Sequence, residues 1–267
     1  MGHAGQPADR RPPGGGAGLW TFQRLLFPAA EDRRWAPQYR SVHDPLVVLA
    51  FLAGQTSRIR LGVAIVDMPF YAPIVLAKMA TSLDVVSAGR LDLGLGIGWA
   101  PEEYEAAGAP FARRGARADD FLRCLIAIWT RDPASYAGEF HRLPPAHVEP
   151  RPVQRPHPPL LLGGSADAAL RRAGRLADGW VSGSAADLSR IGESIAVVRD
   201  GARDAGRDAS TLRFVVRGVV QVRPAGTAGR RALRGSLDEI RADLAALDQQ
   251  GVTELFADLN FDPEIGS

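Results

Sequence analysis

Lysine is almost missing from this chain: Lys78 is the only one, and arginine supplies nearly all of the 32 basic residues. Thirty acidic residues are interspersed with them, leaving a net charge of +2. That field is too weak to favour nucleic acid or a membrane surface. Cysteine is equally scarce. Cys124 stands alone, which excludes an internal disulfide, and inside the apolar helical run FLRCLIAIW it reads as a small buried hydrophobe in a reduced, cytoplasmic setting. No apolar run reaches the roughly 18 residues of a membrane span. Residues 1–18, MGHAGQPADRRPPGGGAG, lack the apolar segment of a signal peptide and are expected to form a disordered tail. His3, His43, His141, His147 and His157 show no metal-ligand spacing, so no metal is expected. His43, just ahead of a helical pattern, is read as a capping or surface residue. No Gly-x-Ser-x-Gly elbow is present to suggest a hydrolase.

What the chain does have is a rhythm of short apolar runs and longer helical patterns. GLWTF opens it as a strand, and DPLVVLAFLAGQT follows as a helix with Asp44 as N-cap and Pro45 at the first helical position. RIRLGVAIV is a strand, APIVLAKMATSLDVVSAG a helix closed by Gly89, and RLDLGLGIG the next strand. Phe121, Leu122, Leu125, Ile128 and Trp129 then repeat at helical spacing. Residues 131–158 break the rhythm: SYAGEFHRL suggests a hairpin and PPAHVEPRPVQRPHPP is proline-rich, together an excursion that reads as a lid or rim. The rhythm resumes with strand PLLLGG, helix SADAALRRAGRLA, strand GWVSGS, a long helix over Leu188–Ala205, strand LRFVVRGVVQV, a helix with Ser236 and Glu239 as a capping box, and a last strand VTELFADLNF. Short strands that are apolar on both faces and separated by helices belong to a covered parallel sheet, either a (β/α) barrel or an open doubly wound sheet. The domain is placed at 19–267, with seven strands, one fewer than a closed eight-stranded barrel.

The strand Arg90–Gly98 raises its own question, because Gly94, Gly96 and Gly98 fall on one face and Leu93, Leu95 and Ile97 on the other. Glycine weakens a strand unless something approaches it closely. A dinucleotide fingerprint is excluded, since Trp99 holds the place of its third glycine. Two readings remain: a helix packed tightly on the glycine face, or a floor cleared for a flat ring near the strand's carboxyl end, where parallel α/β folds bind ligands. At Gly163, Gly164 and Ser165 a strand gives way to a helix. The amides there offer an anion site, and the alternative is that Ser165 is simply an N-cap.

The segment RIRLGVAIVDMPFYAPIVLAKMATSLDVVSAGRLDLGLGIGWAPEEYEAAGAPFARRGARADDFLRCLIAIW resembles the bacterial luciferase-like monooxygenase family, most closely its coenzyme F-420-dependent branch, and PRPVQRPHPPLLLGGSADAALRRAGRLADGW resembles a further block of it. The resemblance runs from about Leu19 to Phe261. It implies a TIM-type (β/α)8 barrel with a flavin or deazaflavin in its mouth, lacking the first βα unit, where the tail stands, and the last helix after Asp262. It implies an oxidoreductase that uses reduced coenzyme F-420, or FMN as the alternative, for hydride transfer or oxygen insertion on a small organic substrate. Coenzyme F-420 is favoured by the arginine-rich composition.

For the site, the resemblance puts a ring-supporting bulge at Ala64 and Ile65, a cofactor-lining loop at Ile97, Gly98, Trp99 and Glu102, and the cofactor phosphate near Gly163, Gly164 and Ser165. Trp99 either stacks on the ring or plugs the barrel top. Where many relatives have an Asp/Glu–His pair, this chain has Gln23 and Arg24. Arginine stays protonated, so Arg24 is a candidate for binding an anion, not for general-base work. Gln23, Arg24 and Glu102 are thus the candidate catalytic positions, with no proton-transfer residue named. Apolar faces on Leu46–Leu52 and Ile74–Leu83 permit a homodimer. The rival reading is an inactive relic or a non-catalytic binding subunit of the same fold. A phosphate-binding isomerase or lyase would need a Lys, His or acid pair at the strand ends.

Overall fold

The computed structural model describes residues 17–29 and 35–259, so most of the expected tail, and the residues from 260 onward, lie outside the described residues. In chain order the elements are β1 (Gly18–Thr21), α1 (Pro45–Gln55), β2 (Arg60–Asp67), α2 (Pro73–Val86), β3 (Leu91–Gly96), α3 (Pro101–Ala106), α4 (Arg114–Thr130), β4 (Ala134–Ala137), β5 (Arg142–Ala146), β6 (Leu160–Gly163), α5 (Asp167–Leu176), β7 (Gly179–Val181), α6 (Ile191–Asp204), β8 (Arg213–Gly218), β9 (Gln221–Val222), β10 (Arg234–Gly235), α7 (Leu237–Gln249) and β11 (Glu254–Ala257). Gly18, where the expected tail and the expected strand GLWTF overlap, is strand and pairs with Arg60.

Seven strands form one sheet in the order β1-β2-β3-β6-β7-β8-β11, every neighbouring pair parallel. The sheet curls into a nearly closed barrel of the TIM type. Across the remaining seam the Trp20 ring of β1 stacks on Phe256 of β11, with centroids 5.0 Å apart and planes 11° from parallel. Side-chain alternation sorts the two faces. Leu160 and Leu162, Trp180, and Phe214 and Val216 join the core under the helices, whereas Leu161, Val181 and Val215 fill the barrel interior with Trp20, Ala64, Ile65 and Phe256. This explains strands that read as apolar on both faces.

β3 follows the same rule and answers the glycine question. Leu91, Leu93 and Leu95 face the helices, so Gly94 and Gly96 face the interior. No helix presses on them. β2 carries a bulge between Val63 and Val66 at a cis Ala64–Ile65 peptide. A Cβ on Gly94 would sit 2.0 Å from the Val63 carbonyl oxygen, and one on Gly96 would sit 1.7 Å from Ile65 Cδ1. The glycines therefore make room for the neighbouring strand's bulge, with Ile65 filling the space a cleared floor would have left open.

The excursion 131–158 is not a lid. It contains the expected hairpin, β4 with β5 antiparallel, but it follows a helix and precedes a strand, and such connections lie at the amino ends of the strands. The buried carboxylate of Asp84 accepts the amides of Val153 and Gln154, and Gln154 Nε2 donates to the Leu91 carbonyl at 2.7 Å. The proline-rich strip thus covers the barrel's base. Nearby, Asp92 pairs with Arg60 and Arg213, and Arg213 pairs in turn with Glu254. Two other boundaries differ from expectation. The helix over Leu188–Ala205 begins as a separate 3-10 turn, Leu188–Arg190, whose Asp187 side chain caps it. The strand through Val222 leaves the sheet at Gly218, which lies against Leu233, and resumes as β9 paired with β10. Among the described residues no helix is long and apolar enough to cross a membrane. On α1 and α2, Val47, Phe51, Val75 and Val86 are exposed.

Candidate active site

At the carboxyl ends of the strands lies a cavity of about 370 Å³, within the size range of small-molecule sites. It brings together Gln23 and Arg24 after β1, Ala64, Ile65 and Asp67 of β2, Gly96, Gly98 and Trp99 of β3 and its loop, and Gly163 at the end of β6 with Gly164 and Ser165 after it, together with Ser182 and Gly183 after β7 and Arg217 of β8. Two of the residues singled out from sequence are elsewhere. Ile97 packs on the helix-side core, as its place in the alternation dictates, and Glu102 is not in the lining. His43 is exposed. None of the excursion lines the cavity, so it does not form the rim.

Each wall has a local cause. Ala64 and Ile65 stand in because the bulge adds a residue to β2. Gly98 takes a left-handed conformation, φ +66°, which turns the chain from β3 toward α3. Gly164, φ +128°, turns the chain from β6 into α5, and its carbonyl accepts from Trp180 Nε1 at 2.8 Å. The N-cap of α5 is Ala166, so Ser165 is not the cap, and it belongs to the cavity lining. The first amides of a helix lack intrahelical partners and favour anions.

Arg24 and Gln23 are both engaged. Arg24 Nη1 donates to Glu103 Oε2 at 2.8 Å, and Glu103 Oε1 accepts the Leu25 amide at 2.7 Å. Glu103 is 1% exposed and belongs to α3. Of the adjacent acids Glu102 and Glu103, it is the buried one. The Arg24 guanidinium lies 4.7 Å from the Tyr39 ring centroid, 5.0 Å from Trp99 and 5.5 Å from Trp35. Trp99 therefore packs with Trp35 and Arg24 at the cavity's edge. Gln23 donates through Nε2 to Tyr71 Oη at 2.7 Å, and its Oε1 accepts the Asp67 amide at 2.9 Å. It braces the end of β2.

Sequence reasoning passed over Asp67. It ends β2, is 3% exposed, and its Oδ1 has no partner. Burial pushes its carboxyl up to about 7; Arg24 and the Gly98 amide oppose the rise and Glu103 reinforces it. Burial, with the Asp67 charge adding, also pushes the Tyr104 phenol up to about 12, and that hydroxyl donates to the Ile97 carbonyl. The signal was available: an acid closing the apolar run GVAIV at the carboxyl end of a parallel strand.

The family model described as luciferase-like monooxygenase matches residues 27–252. An uncharacterized protein of Mycobacterium tuberculosis is 38% identical over 164 residues, covering 61% of this chain and 56% of the relative. The FMNH(2)-dependent dimethylsulfone monooxygenase of Pseudomonas putida is 33% identical over 139 residues, 51% of this chain and 38% of that one. Among solved structures, an F420-dependent secondary alcohol dehydrogenase superposes with a TM-score of 0.74 at 17% identity, over 93% of this chain and 87% of that one. The chain thus spans just over half the length of the curated relatives it matches first.

Proposed function

We propose that this chain, which belongs to the luciferase-like monooxygenase family, is an oxidoreductase that binds a dissociable reduced deazaflavin or flavin together with a small organic substrate. One observation carries this reading: a single cavity joins the bulge at Ala64–Ile65 to the turn at Gly163–Ser165. The residues fit such a group. The bulge gives an apolar shelf for a flat ring, Gly98 and Gly164 leave the approach free of side chains, and the amides and hydroxyl around Ser165 suit a phosphate. When bound, the cofactor supplies the hydride or, with dioxygen, the inserted oxygen. The chain's own residues do the rest. Gln23 ties the segment after β1 to the end of β2, and the Arg24–Glu103 pair ties the same segment to α3. Tyr39 and Trp99, each packed against the buried Trp35, wall the opening with aromatic surface and exclude water from it.

Coenzyme F-420 is the preferred cofactor on the arginine-rich composition. FMN is the second reading, favoured by the identity with a relative whose name specifies reduced FMN. Fluorescence titration of the purified protein with each cofactor tests both. Micromolar binding of one supports the reading and selects between them. Binding of neither overturns it and leaves a non-catalytic member of the fold. Turnover of a carbonyl and a sulfone panel with the bound cofactor then defines the reaction.

A further inference from the structure

Asp67 has no task in the reading above, and one oxygen of its buried carboxyl group is left without a hydrogen-bond partner. Its amide is taken by Gln23 Oε1, and the Gly98 N–H donates to its carboxyl group. The Tyr71 hydroxyl accepts from Gln23 Nε2, and the Tyr104 hydroxyl donates to the Ile97 carbonyl. Oδ1 alone has no partner. It lies 3.1 Å from where a Cβ on Gly96 would stand, between two residues that both line the cavity. A buried carboxylate oxygen without a donor is costly, and a buried carboxylic acid needs an acceptor. The fold provides Oδ1 with neither.

Charge selects between the two forms. The nearest cation is Arg24, and Glu103 already holds it at 2.8 Å. A second carboxylate would leave this buried cluster with net negative charge, whereas a neutral acid balances it. The groups that face Asp67 are Arg24 from the segment after β1, Tyr71 after β2, and Glu103 and Tyr104 of α3, and none of them adds an unpaired positive charge.

We propose that Asp67 is the proton-bearing recognition group of this cavity: a carboxylic acid whose hydrogen is kept for a carbonyl oxygen or imine nitrogen on the edge of a ligand seated over Ala64 and Ile65. This assignment rests on the cofactor reading for the ligand, not for the state of Asp67. It predicts a site that prefers heterocycles with such acceptors along one edge, and binding that weakens as Asp67 ionises.

Two measurements on the full chain test it. The first needs no ligand: infrared difference spectra of wild type against Asp67→Asn, across about pH 5 to pH 9. A protonated carboxyl band, present at the acid end and absent from the variant, is expected. A band of ionised carboxylate at every pH overturns the proposal, whatever binds. The second is fluorescence titration with oxidised FMN and with oxidised coenzyme F-420 over the same range. Wild-type affinity should fall toward about tenfold per pH unit above neutrality. Asp67→Asn, which keeps an N–H donor at every pH, should flatten the profile, and Asp67→Leu should bind weakly throughout. An unchanged profile in the Asn variant overturns the proposal while leaving the cofactor reading intact. If neither cofactor binds wild type, that reading fails and the infrared result alone decides Asp67.

Discussion

The two ends of the barrel each bury a cluster of charges, and the clusters are built on opposite terms. At the base, Asp92 is 1% exposed and every strong partner is present: Arg60 Nε and Nη2 donate to it at 2.7 and 2.8 Å, Arg213 adds a further bond, and Glu254 takes the rest of Arg213. Burial alone would raise the Asp92 carboxyl, but the two guanidinium groups outweigh it and hold the group below the usual carboxylate range. At the mouth, Asp67 is as deeply buried, but its nearest cation is committed to Glu103 and one oxygen is left over. A complete network holds a fold together, whereas an incomplete one at a cavity leaves hydrogen-bonding capacity for something that arrives later. Function-bearing ends of barrels sit at the strands' carboxyl termini and stability-bearing ends at the amino termini, and here the hydrogen bonds themselves draw that line.

The same acid-to-amide change should have opposite signs at the two ends. Asp92→Asn leaves Arg60 and Arg213 facing a neutral group, and loss of one partner from a buried ion pair costs about 3–5 kcal/mol. Urea unfolding at neutral pH measures it. Because the folded-state pKa of Asp92 is lowered, the wild-type advantage is present above the unfolded value of 3.8 and disappears as pH falls through the folded one. Asp67→Asn should instead stabilise. A carboxyl raised from 3.8 to about 7 leaves the wild type unpenalised below pH 3.8 and progressively less stable up to about pH 7. At about 1.4 kcal/mol per pH unit that interval corresponds to at most about 4 kcal/mol, reduced in the variant by the weaker acceptor given to the Gly98 amide. Equal stability curves for wild type and Asp67→Asn at pH 8 would erase the contrast between the two clusters.

A second pair sharpens the contrast within β3, nearer the base and nearer the mouth. Gly94→Ala drives a methyl into the Val63 carbonyl, 2.0 Å away, where backbone must move; about 3 kcal/mol is expected, the upper part of the range for overpacking. Gly96→Ala meets chiefly the far end of Ile65, 1.7 Å away, with Ile65 Cγ1 and Asp67 Oδ1 each at 3.1 Å, and should cost about 1 kcal/mol by displacing side chains and not backbone. Ile65→Ala in the Gly96→Ala background should recover most of the loss, and a double-mutant cycle in thermal unfolding checks the coupling. If Gly96→Ala costs as much as Gly94→Ala, the bulge is rigid throughout and the floor at the mouth is no more adaptable than the base.

What the sequence made legible follows the range of the physics involved. Period-two alternation separated the leucines of β3 from its glycines, and caps at Asp44 and Ser236 were read correctly because they are local. The identity of the glycines' neighbour was not legible, since Ile65 comes from another strand and reaches them only through the β2 bulge. Composition marked 131–158 as outside the barrel but not at which end; its position after a helix and before a strand was the clue left unused. For the site, the bulge residues and the Gly163–Ser165 turn entered through resemblance, whereas Glu103 went unread because its importance arises from a pairing with Arg24 that no short window contains, and Asp67 because its lack of a partner depends on groups from other elements.

The smallest effect concerns Ser165, where a structural role and a binding role give different numbers. If the hydroxyl capped α5, its loss would cost about 1 kcal/mol. The cap position is Ala166 and no side-chain cap is made, so Ser165→Ala should change stability by no more than about 0.5 kcal/mol in thermal unfolding. Ser165 belongs to the cavity lining beside Gly163 and Gly164, and a hydrogen bond from its hydroxyl to a charged group would be worth about 1.5–3 kcal/mol. FMN affinity should therefore fall by about 10-fold to 150-fold in Ser165→Ala, while riboflavin, which has no phosphate, should bind wild type and variant alike. Equal losses for both ligands would detach the phosphate from this turn, and a stability loss near 1 kcal/mol would return Ser165 to a role in starting the helix.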